Sequence, residues 1–113
     1  MSQSTTLILL PQTAFTGTNN TITGTKFPAA SYYLSKQNLQ TVNWNVSTFT
    51  GIISVQGTLA ETPTDSDWFT ILNIVGSNTT QVSFSNVAGN FVWIRLIVTG
   101  FSTGTINYVK VSY

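Results

Sequence analysis

The sequence predicts an all-β protein, a single antiparallel β-sandwich that is jelly-roll-like and has about eight or nine strands. The first observation behind this prediction is an alternation of apolar and polar side chains, which is the two-residue period of a strand. The second is punctuation by Gly, Asn and Pro at intervals of about 8–12 residues. The third is that apolar residues never keep a helical period over a window of about 11 residues.

Strands are predicted, in chain order, at 5–10, 31–35, 40–46, 51–59, 68–75, 81–85, 91–99 and 105–113. Residues 16–25 carry two Thr-Gly-Thr triplets and are expected to form either a hairpin or an irregular polar loop. The alternation is clearest in 40–46, where Val42, Trp44 and Val46 are expected to point inward.

Residues that favour turns separate these segments. Pro11 ends the first strand, and a turn at 28–30 precedes the second. Inside a strand, Gly57 marks a bulge or a close approach of another part of the chain. Further turns are expected at 60–67, 76–79, 87–90 and 100–104.

Residues 91–99 form the strand around which the other elements are expected to pack, with a length of roughly 30 Å. Both of its faces are largely apolar, which predicts that both are covered. Since 105–113 is also apolar on two faces, one outer face is expected to meet another subunit. The residues predicted at this interface are Phe91, Trp93, Arg95 and Ile97.

The composition limits both the fold and the function. We expect the 113 residues to form one domain spanning 1–113, with residues 1–4 as a candidate flexible arm. The absence of Cys and His excludes disulfides, thiolate zinc sites and imidazole chemistry. Charged residues make up only 6% of the chain, against about 25% in ordinary domains. Such a surface suits a protein held in an assembly.

Several functional classes are not expected. The formal net charge is +1, and the scattered cations form no basic patch for nucleic acid. No secretory pattern or apolar run long enough for a membrane span is present, so the protein is expected to be made in the cytosol. The sequence has no Gly-x-Ser-x-Gly or Ser-x-x-Lys motif and no phosphate-binding Gly-rich loop, so we predict neither an enzyme nor a cofactor.

Three acidic residues, Glu61, Asp65 and Asp67, lie close together in one turn. Asp65 and Asp67 are weak candidates for binding Ca²⁺ with help from neighbouring hydroxyls, although the further carboxylate of a calcium loop is absent. The alternative is a solvated turn before the next strand. Hydrolysis by a carboxylate pair is not expected, because such pairs face each other across a cleft.

Arg95 is the only arginine and lies on the Trp93 face of its strand. It is expected either to stack on a ring or bind a carboxylate, with a subunit boundary as one setting, or to lie along the sheet with its head in water. The aromatic side chains suggest a sugar-stacking platform or, alternatively, core packing. Among them, the adjacent pair Tyr32 and Tyr33 is the better candidate for glycan contact. The rings considered are Trp44, Trp68, Trp93, Tyr32, Tyr33, Tyr108 and Tyr113.

Three segments carry a resemblance to a known group of proteins: ISVQGTL at 53–59, DWFTI at 67–71 and VWIRLIV at 92–98. Their order resembles that of small β-sandwich virion proteins of tailed bacteriophages, and is loosely similar to discoidin-type jelly rolls. The resemblance covers roughly residues 51–113. The ligand-binding loops of discoidin domains have no recognisable match.

The phage resemblance implies a virion protein of the head, neck or tail, often a trimer, with other virion proteins such as the major capsid protein as partners. The first functional hypothesis is therefore a capsid decoration or cement protein that acts through protein–protein contacts as a homo-oligomer. The alternative is a carbohydrate-binding module of a tail or fibre protein that recognises host surface glycans.

Overall fold

The computed structural model describes residues 6–29, 39–89 and 91–113. All strand pairings in these ranges are antiparallel, which confirms the predicted all-β class. No helix in the described part of the chain has the length and hydrophobicity of a membrane span. The strands are β1 (Thr6–Leu10), β2 (Thr13–Ala14), β3 (Ile22–Thr23), β4 (Phe27–Pro28), β5 (Leu39–Thr58), β6 (Phe69–Ala88) and β7 (Trp93–Ser112).

The described strands form one seven-stranded sheet. Its order is β1-β7-β5-β6, and the short strands β2, β3 and β4 also pair with β7. The long strands β5 and β7 are therefore central, β6 lies at one edge, and four short strands share the other. A 3-10 turn at Asp65–Asp67 lies in the connection between β5 and β6.

The three long strands are bent. Each has 20 residues. A straight strand of that length would span about 66 Å, yet the longest dimension of the molecule is 41 Å. The bend is visible in the register of β5 and β7, which shifts between Ser47 and Ile52. Positive φ angles occur at the same level in all three strands, at Thr48, Gly51, Asn78, Gly100 and Gly104.

The bend folds the sheet onto its own inner face and produces the two layers of a sandwich. Val42 and Val46 before the bend and Ile53 and Val55 after it are all buried, so both halves of β5 contribute the same face to the core. We call the layer that contains 39–47 the first layer and the layer that contains 51–58 the second. The predicted β-sandwich is thus confirmed.

The two ends of β7 meet as a result of the fold. The Tyr113 hydroxyl donates a hydrogen bond to the Pro28 carbonyl oxygen at 2.8 Å, and Pro28 pairs with Trp93 at the start of the same strand. The chain end that follows the first layer is thereby tied to an edge strand of the second.

Aromatic rings fill the bend. The fully buried Phe49 and Phe101 have ring centroids 5.4 Å apart, and Phe15 packs on Phe101 at 5.3 Å. Gly76, which pairs with Gly51, lies directly under this cluster, and a methyl group at Gly76 would overlap the Phe49 ring. The bend therefore depends on a position that has no side chain.

Three of the described strands each join two segments that were predicted as separate strands. Bulges and residues with left-handed φ angles keep the chain paired through the bend. Three predicted interruptions therefore lie inside long strands: the break after 46 and the turns at 76–79 and 100–104. The predicted strand at 31–35 and the candidate arm at 1–4 lie outside the described residues. The segments joined in this way are 40–46 with 51–59, 68–75 with 81–85, and 91–99 with 105–113.

Candidate functional site

The outer surface of the second layer brings together most of the predicted interface. In β7, Ile94, Leu96 and Val98 point inward and are fully buried, whereas the residues between them point outward and are partly exposed. The register places Arg95 beside Gln56 of β5. We call this surface the Arg95 face and define it by Gln56, Trp68, Trp93, Arg95 and Ile97.

Arg95 is held by three groups of its own chain. Its Nε–H donates a hydrogen bond to Gln56 Oε1 at 2.9 Å, and its guanidinium carbon lies 4.3 Å from the centre of the Trp68 ring. Its Nη1 lies 3.9 Å from Asp65 Oδ1. Because the Asp65 side chain is fully exposed, water weakens this ion pair, and the hydrogen bond and the ring are the main constraints.

Arg95 therefore stacks on an aromatic ring, as one of the two alternatives predicted. The second expectation, a head group lying in water, is wrong, because the side chain is only 12% exposed. Side chains that are already held in one rotamer lose little entropy when a partner binds. The Arg95 face is for this reason a pre-organised surface.

Trp93 holds the β5–β6 connection against the sheet. Its indole Nε1–H donates a hydrogen bond to the Glu61 carbonyl oxygen at 2.9 Å. The Lys26 ammonium nitrogen lies 4.4 Å from the centre of the Trp93 ring. Two cations thus contact two tryptophans on one surface, Lys26 on Trp93 and Arg95 on Trp68.

Phe91, which was also predicted at the interface, does not lie on this surface. It is 8% exposed, lies in the segment before β7 begins and packs in the core. A Cβ atom built at Gly57 would lie 3.0 Å from the Phe91 ring, so the missing side chain of Gly57 makes room for it. The Phe69 ring packs on the Phe91 ring, with centroids 5.7 Å apart.

The acidic turn has partners within the chain. Asp67 Oδ2 accepts hydrogen bonds from the Thr64 backbone N–H at 2.7 Å and from the Thr64 hydroxyl at 3.1 Å. Asp65 points towards Arg95. Within 6–29, 39–89 and 91–113, no group of three or more His, Cys, Asp or Glu side chains is arranged to hold a metal ion.

The described aromatic residues do not form one continuous platform. Trp44 is buried and donates its Nε1–H to Gln81 Oε1 at 3.1 Å. Tyr108 lies on the first layer, where the Lys110 ammonium is 4.3 Å from its ring centre. Tyr32 and Tyr33, the candidate glycan contacts, lie outside the described residues.

One surface feature was not predicted from the sequence. Val75, Val82 and Phe84 of the edge strand β6 are each more than 60% exposed. The sequence does contain an indication of such an edge, because residues 69–88 include no charged residue and no proline. Natural edge strands usually contain one or the other.

No protein-family model and no curated protein matches the chain. The fold is similar to that of the SPBc2 prophage-derived protein YomS, with a TM-score of 0.63 and 13% sequence identity. That alignment covers 97% of this chain and 91% of the other.

Two further solved structures are similar over the same share of this chain, 97%. A family 29 carbohydrate-binding module from Piromyces equi gives a TM-score of 0.51 at 8% identity, with 91% of its own chain covered. The K1 cleaved adhesin domain of Lys-gingipain from Porphyromonas gingivalis gives 0.50 at 7% identity, with 98% covered. At such identities the likeness shows a shared fold alone.

Proposed function

We propose that this chain is a non-enzymatic structural component of a tailed-phage particle, and specifically a capsid decoration or cement protein. It works by protein–protein contact, as a homo-oligomer that binds other virion proteins such as the major capsid protein. Its place is the virion, after synthesis in the host cytoplasm.

The observation that carries this proposal is the surface. The whole chain has only four basic and three acidic residues, and large apolar side chains are exposed on both layers. A free monomer rarely combines low charge with so many exposed apolar groups, whereas a protein buried among coat subunits does. The exposed apolar residues are Ile8, Leu39, Ile52, Leu59, Phe69, Val75, Val82 and Phe84.

The Arg95 face is the surface proposed to contact the shell. It offers aromatic rings and an arginine already fixed in place, and these residue types dominate the binding energy of protein interfaces. Apolar area is added by Ile97, which lies opposite Ser54, and by Ile52, which lies two residues before Ser54 on the same strand. The prophage origin of YomS supports a phage setting for this fold.

A binding assay tests this proposal. Source-phage particles that lack the protein would be mixed with the purified chain, pelleted and assayed for the retained chain. We expect Arg95→Ala to reduce retention at least tenfold, because it removes the anchor of the Arg95 face. Lys110→Ala is the matched control, since it removes a cation that also contacts a ring but lies on the first layer. No retention of the unmodified chain would contradict the proposal.

A second function, recognition of host surface glycans by a tail or fibre domain, is favoured by one observation. Two of the similar folds are a carbohydrate-binding module and an adhesin domain. Tyr32 and Tyr33 are the candidate stacking residues. Glycan-array binding by the isolated chain that is lost in a Tyr32→Ala/Tyr33→Ala variant would support this function, and an array without any signal would count against it.

A further inference from the structure

The two edges of the sheet are built in opposite ways. The edge opposite β6 consists of β1, β2, β3 and β4, which have five, two, two and two residues. Pro11 interrupts this edge, Pro28 lies within it, and Lys26 lies next to it. Short strands, prolines and lysines all prevent pairing with another chain. This edge is protected.

The β6 edge has none of these protections. It runs for 20 residues, contains no charge and no proline, and pairs with β5 as its one partner among the described strands. In an antiparallel edge strand, about half of the backbone N–H and C=O groups point away from the sheet. These groups are a template for another strand.

The second half of β6 also has a matching side-chain pattern. Val82 and Phe84 both point to the outer face of the first layer, beside Asn45 and Asn43 of β5. They are 64% and 63% exposed. In the first half, by contrast, Phe69 is engaged with Phe91, so the most exposed neighbouring apolar pair lies in the second half.

We infer that β6 pairs with β6 of a second copy of this chain, antiparallel and about a two-fold axis. The pairing is centred on Ser83, so that Val82 of each copy lies opposite Phe84 of the other. This inference names the first partner in the assembly and in that sense rests on the proposed function. The first layers of the two copies then form one continuous sheet.

The absence of charge, together with the self-complementary apolar pair, favours a second copy as the occupant. Like charges directly opposite each other destabilise a strand pair, and a strand with no charge avoids this when it meets itself. A two-fold axis makes the contact self-complementary, so one apolar pair is used twice. Aromatic rings opposite β-branched residues are among the favourable cross-strand pairs.

The first test is the mass of the full chain in solution by light scattering after size exclusion, at about 50 µM. We expect a dimer or a multiple of it. Val82→Lys/Phe84→Lys should be a monomer with an unchanged far-ultraviolet circular dichroism spectrum, because both side chains are exposed and each lysine then faces another.

Ile8→Lys is the matched control on the protected edge, where Ile8 is 50% exposed. This variant should stay dimeric. A monomeric unmodified chain, or a double variant that stays dimeric, overturns the inference.

The second test fixes the register. The chain has no cysteine, so a single introduced cysteine can form disulfides only between copies. Ser83→Cys should give a disulfide-linked dimer on oxidation, since residues directly opposite lie within disulfide reach. Ser54→Cys, on the second layer, should stay monomeric on a non-reducing gel. Absence of the Ser83→Cys dimer overturns the inferred register.

These results are separable from those of the proposed function. A monomeric chain that still binds particles would refute the β6 pairing and leave the virion role in place. A β6-paired dimer that never binds particles would do the reverse.

Discussion

Arg95 lies over Trp68, with the guanidinium carbon 4.3 Å from the centre of the ring, and this contact joins β7 to the connection between β5 and β6. The same guanidinium is bonded to Gln56. The contact therefore fixes a loop and two neighbouring strands at one point, on the surface proposed to contact the shell.

Arg95→Ala should lower the free energy of unfolding by about 1–3 kcal/mol, because it removes the bond to Gln56 and the cover of the Trp68 ring. Arg95→Lys should give an intermediate loss, since an ammonium can lie on the ring but has no Nε–H for Gln56. Chemical denaturation followed by tryptophan fluorescence measures both. Equal stability of all three proteins would contradict the described contact.

Asp65→Asn should leave the stability unchanged within error. The carboxylate is fully exposed and 3.9 Å from Arg95 Nη1, so water screens the pair. Raising the salt concentration should likewise have little effect on the melting temperature of the unmodified chain. A clear loss of stability in Asp65→Asn would show that the ion pair matters more than its geometry implies.

Gly76→Ala should destabilise the protein by about 1–3 kcal/mol, because the added methyl group overlaps the Phe49 ring at the bend. Ser77→Ala is the matched control one residue further on, where the side chain is exposed. Thermal unfolding by circular dichroism compares the two. If Gly76→Ala melts at the temperature of the control, the sheet does not bend as described.

Tyr113→Phe should cost about 1 kcal/mol, since it removes the hydrogen bond that joins the end of β7 to Pro28 and leaves the ring in place. Tyr108→Phe is the control, because no hydrogen bond of the Tyr108 hydroxyl occurs within the described structure. Denaturant midpoints measure the difference. A larger effect from Tyr108→Phe than from Tyr113→Phe would contradict the closure of the two layers at Pro28.

The alternation of side chains predicted much of the core. Val42 and Val46, and Ile94 and Leu96, are buried as expected, because a two-residue period depends only on local geometry. The continuity of the long strands was not predictable in this way. Gly, Asn and Thr occur both in turns that leave the sheet and in bulges within a strand, so these residues do not distinguish the two. Here the chain stays in the sheet, as the pairing of Gly51 with Gly76 shows.

The site was predictable in part for the same reason. That Trp93, Arg95 and Ile97 share a face follows from their spacing. The contact between Arg95 and Gln56, which are 39 residues apart in sequence, depends on the register between two strands. Phe91 lies in the core because Gly57, on another strand, leaves room for its ring. The free edge of β6 depends on the strand order, which no local pattern specifies.

We propose that this domain is a structural part of a phage particle. The most direct test is its copy number relative to the major capsid protein in purified particles of the source phage, measured by quantitative mass spectrometry. We expect a copy number comparable to that of the major capsid protein. Absence of the chain from the particles, or a presence of only a few copies for each one, would contradict it.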